Sequence, residues 1–249
     1  MSEPAIHLAD VRKEFLLSHS GAASIKTLLL WWKRRTLERD EVLRGVTFDV
    51  HPGECVAVLG RNGAGKSTLL GLLARVIKPT SGEIAVRGRI APLLELGAGF
   101  HPDLTGVENV FFNGVILGLT RKEVAERLDR IVDFAEVRRH IDAPVRTYSS
   151  GMLARLGFAI AVHVDADVLL IDEVLAVGDY AFEQKCYAKI EEFKRNGGTI
   201  LFVSHEMQDV RRVADRCLWL ERGRIVDEGP PEELIPRYEA AMARPTEGL

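Results

Sequence analysis

Hydrophobic and polar positions along this chain switch between a period of two and a helical period, and the switches mark out its elements. Ile6 to Val11 alternates as a strand does, and Lys13 to Leu17 leaves that strand carrying Phe15. This aromatic is either a core residue or a platform on which a base could stack. A small polar loop from Ser18 to Ser24 follows, and then Ile25, Leu28, Leu29 and Trp32 fall at i, i+3, i+4 and i+7. That spacing predicts an amphipathic helix over about 24–39. Val42 to Val50 returns to strand patterning. His51-Pro-Gly-Glu54 turns into Glu54 to Leu59, an apolar run of buried-strand type, and Leu69 to Ala74 opens a buried helix.

Further on, Lys78 to Gly82 is a loop, Glu83 to Val86 begins a strand, and Leu93 to Gly106 is a glycine-rich loop with specific polar residues. Thr105 and Glu108 have capping-box spacing and open a helix through Asn113, with a mixed-charge amphipathic helix at Arg121 to Phe134. Tyr148 to Arg155 is a small-residue turn into an apolar helix at Leu156 to Val164. Ala166 to Glu173 and Thr199 to His205 are uninterrupted apolar runs of parallel-strand type. Arg216 to Gly229 is a hairpin turning at Arg222-Gly223, and Glu232 to Met242 is a closing helix. Together these predict alternating α/β halves around a helical subdomain at about 96–163, all within one domain, 1–249.

Composition adds exclusions. With 249 residues, 47% hydrophobic and 28% charged, the chain is of ordinary globular type. A net charge of −3 gives no global attraction to nucleic acid or an anionic membrane. Locally, the 24–39 stretch sets Lys26, Lys33, Arg34, Arg35 and Arg39 against Glu38, beside Trp31 and Trp32. Aromatic rings at headgroup level with cations for anionic lipid suit a helix at a membrane interface. Packing on the chain's own sheet with a solvated basic face, or contact with nucleic acid, remain as alternatives. Cys55, Cys186 and Cys217 are scattered and lack metal spacing, so they read as buried small residues. The N-terminus is not a signal peptide, and no apolar run approaches the roughly 18 residues a membrane span needs.

The chemistry concentrates at Gly60-Arg-Asn-Gly-Ala-Gly-Lys-Ser-Thr68, which fits G-x-x-x-x-G-K-S/T between a strand and a helix. The glycines Gly60, Gly63 and Gly65 let the backbone curl so that the loop's N–H groups, those of Asn62 and Ala64 included, surround a polyphosphate at a helix N-terminus. Lys66 can bridge the β and γ phosphates, and Ser67, followed by Thr68, can ligate Mg²⁺. Two adjacent carboxylates end a buried strand: Asp172 can hold Mg²⁺ through water, and Glu173 can orient and deprotonate an attacking water. His205, at the end of another strand, is placed to contact a γ-phosphate or that water. Ser149, Ser150 and Gly151 begin a helix and form a second, weaker anion site by the same physics.

These residues resemble the nucleotide-binding domain of ABC transporters over essentially the entire chain. The match is carried by the P-loop, by Tyr148 to Arg155 as the signature, by Leu169 to Glu173 as Walker B, by Ala176 to Asp179 as the D-loop and by Val203 to His205 as the H-loop. The resemblance implies a P-loop NTPase with a parallel core sheet, an N-terminal antiparallel β subdomain and a helical signature subdomain. It makes Phe15 the A-loop aromatic, ATP and Mg²⁺ the cofactors, and a head-to-tail homodimer the active form. In that dimer Ser149, Ser150 and Gly151 of one copy close on ATP held by Lys66 of the other, with Asp179 nearby. Two departures stand out: Ser150 and Met152 replace the commoner Gly and Gln, and the Q-loop glutamine is missing, with Glu95 its nearest equivalent as a metal contact.

Three segments, Leu93 to Asn109, Tyr148 to Met152 and Asp172 to Cys186, resemble the polysaccharide exporter branch, which moves lipid-linked O-antigen, teichoic acid and related glycans. For this chain that implies an ATPase driving a separate transmembrane permease, present in two copies, at the cytoplasmic face of the membrane, with no nucleic-acid partner. Some members continue into a carbohydrate-binding domain, and the expectation here is a chain without one. ATPases of lipid or drug exporters, and soluble ABC proteins acting on nucleic acid or the ribosome, are the alternatives.

Overall fold

The computed structural model describes residues 3–17, 38–94, 99–172 and 178–243. Three strands form an antiparallel sheet in the order β2-β1-β4: β1 (Ile6–Leu17), β2 (Glu38–Val50) and β4 (Ser81–Val86). Strand β1 runs further than its alternation predicts, so Phe15 does not leave the strand but lies in it, opposite Asp40. The expected basic helix over about 24–39 lies outside the described residues except for its last two positions, and these correct it. Glu38 and Arg39 are strand, opposite Leu17 and Leu16. Pairing with β1 supplies a ladder of backbone hydrogen bonds, and that outweighs a weak local helical period.

A second sheet has the order β5-β6-β7-β3-β8-β9 among the described residues. It contains β3 (Cys55–Leu59), β5 (Ile90–Leu93), β6 (Val168–Asp172), β7 (Thr199–Val203), β8 (Arg216–Glu221) and β9 (Arg224–Gly229). All neighbours pair in parallel except β9, which forms the expected hairpin with β8. Its turn residues Arg222 and Gly223 both have positive φ, 47° and 77°, as a two-residue hairpin loop matched to the strand twist requires.

Alternating side chains of β3 enter different cores, so the sheet is covered on both faces. Val56 and Val58 face α1 (Lys66–Leu73), whose Leu69, Leu70, Leu72 and Leu73 are buried between the two sheets. Cys55, Ala57 and Leu59 face the opposite layer, built from α4 (Ser150–Val162), α5 (Tyr180–Arg195), α6 (Met207–Val213) and α7 (Pro231–Met242). All three cysteines are buried, and burial pushes the Cys186 and Cys217 thiols up to about 12. They are inert small residues, as expected.

A third core joins α2 (Gly106–Ile116), α3 (Arg121–Ala135) and the outer face of α4. The Thr105–Glu108 capping box closes in both directions, and Thr120–Glu123 forms a second one. Fully buried Asn109 clips the end of the glycine-rich loop. Its Oδ1 accepts from the His101 N–H at 2.8 Å, and its Nδ2 donates to the carbonyls of His101, Leu104 and Thr105. Phe134, Phe158 and Phe182 meet with centroids 5.6 to 6.4 Å apart and fasten α3 to α4 and α5. Truncating Phe158 there would cost about 3–5 kcal/mol.

Candidate functional site

The parallel register brings the separate motifs to one edge. Val58 pairs with Val203 and Val203 with Asp172, so these three residues stand level across β3, β7 and β6. Just beyond them come the phosphate loop after Leu59, His205 two residues after Val203, and Glu173 next in the chain to Asp172. Ligands of α/β sheets bind at this carboxyl edge. Glu173 and Glu95 themselves lie outside the described residues.

The loop is shaped by its own neighbours. Gly63 and Gly65 have φ of 81° and 107°, conformations that side chains disfavour. A Cβ on Gly65 would come within 2.7 Å of Leu43 Cδ2, and one on Gly60 within 2.4 Å of the Leu220 carbonyl oxygen. The β8–β9 turn docks against the loop, with the Gly223 N–H donating to the Ala64 carbonyl at 3.1 Å and the Gly223 carbonyl accepting from Arg44 N–H at 2.8 Å. Lys66 is 6% exposed, and its ammonium donates to the carbonyls of Gly60 at 2.7 Å and Arg61 at 3.2 Å. Asn62, Gly63 and Ser67 are exposed on the open side, Thr68 is half-buried, and the first turn of α1 carries no acidic residue and no side-chain cap. Backbone N–H groups and the positive end of the helix are therefore presented to an anion.

Strand β2 passes the loop at Val42 and Leu43, and Phe15 lies on the neighbouring strand two positions further along the register. Its ring is 37% exposed and carries the Lys13 ammonium 4.8 Å from its centroid. Of the two readings left open by the sequence, this exposure fits the stacking platform better than the core. The oxygen donors, a Ser67 hydroxyl at the helix start and the half-buried Asp172 carboxylate, are of the hard type that suits Mg²⁺.

The signature is built differently and stands elsewhere. Buried Tyr148 donates its hydroxyl proton to the His140 carbonyl at 2.6 Å and fixes the approach to α4. Ser149 is the N-cap, accepting from the Met152 N–H at 3.2 Å, so the helix begins at Ser150 rather than at Leu156 as its apolar run suggests. Ser149 and Ser150 are exposed. Helix α4 and the loop's helix α1 lie on opposite faces of the core sheet, and within one chain the two serine-glycine helix starts do not share a layer. Asp179 caps α5, accepting from the Phe182 N–H at 3.0 Å, and this bond together with Arg155 holds its carboxyl below the usual range.

A family profile described as ABC transporter matches residues 43–176, from β2 through the residues after Walker B. The chain belongs to the ABC transporter family. It is 51% identical to an O-antigen export system ATP-binding protein, RfbB, of Klebsiella pneumoniae, an alignment covering 97% of this chain and all of that one. It is 40% identical to a teichoic acids export ATP-binding protein, TagH, of Shouchella clausii, over 95% of this chain and 65% of the relative. Among solved structures, a dimeric ATP-binding cassette bound to ADP and Pi superposes with a TM-score of 0.74 over 91% of this chain and 98% of its own length. At 21% identity that likeness establishes the fold: an ABC ATPase cassette.

Two features of this ABC cassette escaped the sequence reading. Strand β5 was hidden because Pro92 interrupts its pattern, which is tolerated at the edge position it occupies. Helix α5 is the other, and its signal is Asp179 ahead of an amphipathic run, which marks a helix start. Among the described residues, no helix is long and apolar enough to cross a membrane.

Proposed function

We propose that this ABC ATPase powers export of a lipid-linked cell-envelope polysaccharide, of the O-antigen or teichoic-acid kind, through a separate transmembrane subunit. The observation that carries this reading is the 51% identity over the whole length of an O-antigen export relative. Two copies close head to tail, with Ser149, Ser150 and Gly151 of one covering ATP on the loop of the other. Support comes from the exposure of both serines and from the opposite-face placement of α1 and α4. Gly151 adds to it: a Cβ there would meet only Ser149 Oγ, at 3.9 Å, so the chain itself does not require glycine at this position.

In the closed site Phe15 stacks the adenine, Lys66 and the loop N–H groups hold the phosphates, and Ser67 with Asp172 would hold Mg²⁺, with Glu95 the nearest further contact in sequence. Mg²⁺ held there would neutralise charge that develops on the phosphates. Glu173 takes the proton of the attacking water as it adds to the γ-phosphorus and the bond to ADP breaks, and His205 steadies the γ-phosphate. Asp179 lies at the copy-to-copy contact.

Docking of a membrane subunit is supported by α2, which exposes Phe112, Val115 and Ile116, the last of which lines one cavity together with exposed Val76. An apolar patch of this kind marks an interaction surface. Such docking holds the chain at the cytoplasmic face of the membrane, with the basic, tryptophan-bearing stretch that precedes β2 at the lipid interface. Coexpression with the membrane protein encoded beside it tests the reading: copurification of the two, with ATPase activity responding to a lipid-linked glycan, is the expected result. Recovery of ribosomes or DNA in place of a membrane subunit would overturn it.

A further inference from the structure

Arg155 lies on the second turn of α4, six positions after Ser149, with its side chain only 19% exposed. Its Nη1 donates to Glu136 Oε2 at 3.0 Å and its Nη2 to Asp179 Oδ2 at 2.8 Å. The guanidinium also sits 4.9 Å from the centre of the Phe182 ring. Gly178 is moulded to it: at φ 80°, a Cβ there would come within 2.8 Å of Arg155 Nε. Glu136 caps α3 in a left-handed conformation at φ 59°, and its other oxygen pairs with Lys185 of α5. One fork-shaped cation thus ties the end of α3, the body of α4 and the head of α5. Lysine, a point charge, cannot take both carboxylates in this way.

The geometry follows the chain. Helix α4 carries Ser149 to Gly151 at its start. Asp179 is the far end of the segment that leaves β6 after Asp172, and Arg155 fixes it to α4. Asp179's other oxygen is already committed to capping α5, so Asp179 cannot follow the core sheet while α4 moves without breaking one of its two bonds.

We propose that Arg155 is a positioning residue for hydrolysis. It locks the signature helix to Asp179, so that closure of a second copy on Ser149 to Gly151 is passed to Asp179 and the head of α5 in the same chain. This rests on the two-copy reading given above.

The test measures steady-state ATPase activity, thermal unfolding and ATP-dependent dimerisation by light scattering on the full chain. The variants are Arg155→Gln, Arg155→Lys, Asp179→Asn and the double Arg155→Gln/Asp179→Asn. Expected for Arg155→Gln is a kcat about tenfold lower with KM for ATP within about twofold, because the phosphate loop is untouched. Arg155→Lys should recover only part of the loss, and the double variant should be no worse than the worse single one, as for one shared interaction. Asp179→Asn keeps an acceptor for the α5 cap, so it remains informative if Arg155→Gln does not fold. Unchanged kcat in folded Arg155 variants, or losses that multiply in the double variant, would overturn the proposal while leaving the two-copy reading intact. A wild-type chain that hydrolyses ATP without dimerising would bring both down.

Discussion

The two serine-glycine helix starts of this cassette look alike in sequence and are constrained from opposite directions. At the phosphate loop, every structural reason for glycine is internal. Gly65 has φ 107° with Leu43 against it, and Gly60 has the Leu220 carbonyl where a side chain would be. At the signature, Gly151 is in ordinary helix, and nothing but Ser149 Oγ at 3.9 Å lies near a Cβ. The fold builds the first site by itself. The second it merely displays: nothing in the chain itself requires a small residue there, and on the proposed two-copy reading the reason for one is the copy that closes on it.

The largest effect should come from the residue that belongs to both fold and ligand. Lys66→Ala removes the two bonds to the Gly60 and Arg61 carbonyls and, on the proposed reading, the cation that meets the phosphates. Turnover should fall by about 10² to 10³, the usual result of removing a group aimed at developing charge. Because the loop loses its internal clasp, the melting temperature should fall as well, and a scan beside the ATPase assay checks both. A variant with lowered turnover and unchanged melting would mean that Lys66 serves the ligand alone.

Alanine at the two glycines separates the sites more sharply, although each effect is smaller. Gly65→Ala forces a left-handed alanine, about 1–2 kcal/mol, and adds a clash with Leu43. Melting should drop by about 4–8 °C for a chain of this size. Gly151→Ala should do the reverse, since alanine is favoured over glycine in a helix by up to about 1 kcal/mol, raising melting by about 2–4 °C while ATP turnover falls. If Gly151→Ala lowered stability, or left turnover intact, the contrast between a self-built and a displayed site would collapse.

Chemistry in this chain was legible wherever it depends on neighbours in sequence. The P-loop, the Thr105–Glu108 box and the Arg222-Gly223 turn are local agreements between backbone and side chain, and all three stand in the structure. The level alignment of Val58, Val203 and Asp172 was legible more indirectly, since each apolar run of parallel-strand type leads straight into a candidate group, the phosphate loop, His205 or the Asp172-Glu173 pair. Tertiary contacts were not legible. Glu38 and Arg39 have no strand pattern of their own and become strand through β1. Arg155 reads as the charged end of a small-residue turn, and its three partners at 136, 179 and 182 become neighbours only after α3, α4 and α5 have packed. The start of α4 was misjudged for a related reason: serine and glycine suggest a turn, and the Ser149 cap recruits them into the helix.

The smallest predicted effect is on acid sensitivity. Glu108 is held below its ordinary 4.5 first by the Thr105 N–H, and Glu123 likewise by the Thr120 N–H. His163, at the end of α4, is lowered by burial against the Phe134 ring. In each case the folded pKa is depressed, so the unfolded state binds protons more readily, and the stabilisation is present at neutral pH and lost as pH falls. The histidine contribution fades first, below its ordinary 6.5, and the glutamates follow below 4.5. All three groups belong to the layer that displays the signature. Hydrogen-exchange protection factors, compared between pH 7 and pH 4, should therefore fall by a few-fold more in α2, α3 and α4 than in α1 and β3. Glu108→Gln keeps an acceptor for the cap and should flatten the α2 part of that decline. Equal losses on both sides of the sheet would mean that the layer carrying Ser149 to Gly151 does not respond as a unit of its own, and that the displayed site is as tightly bound into the fold as the phosphate loop.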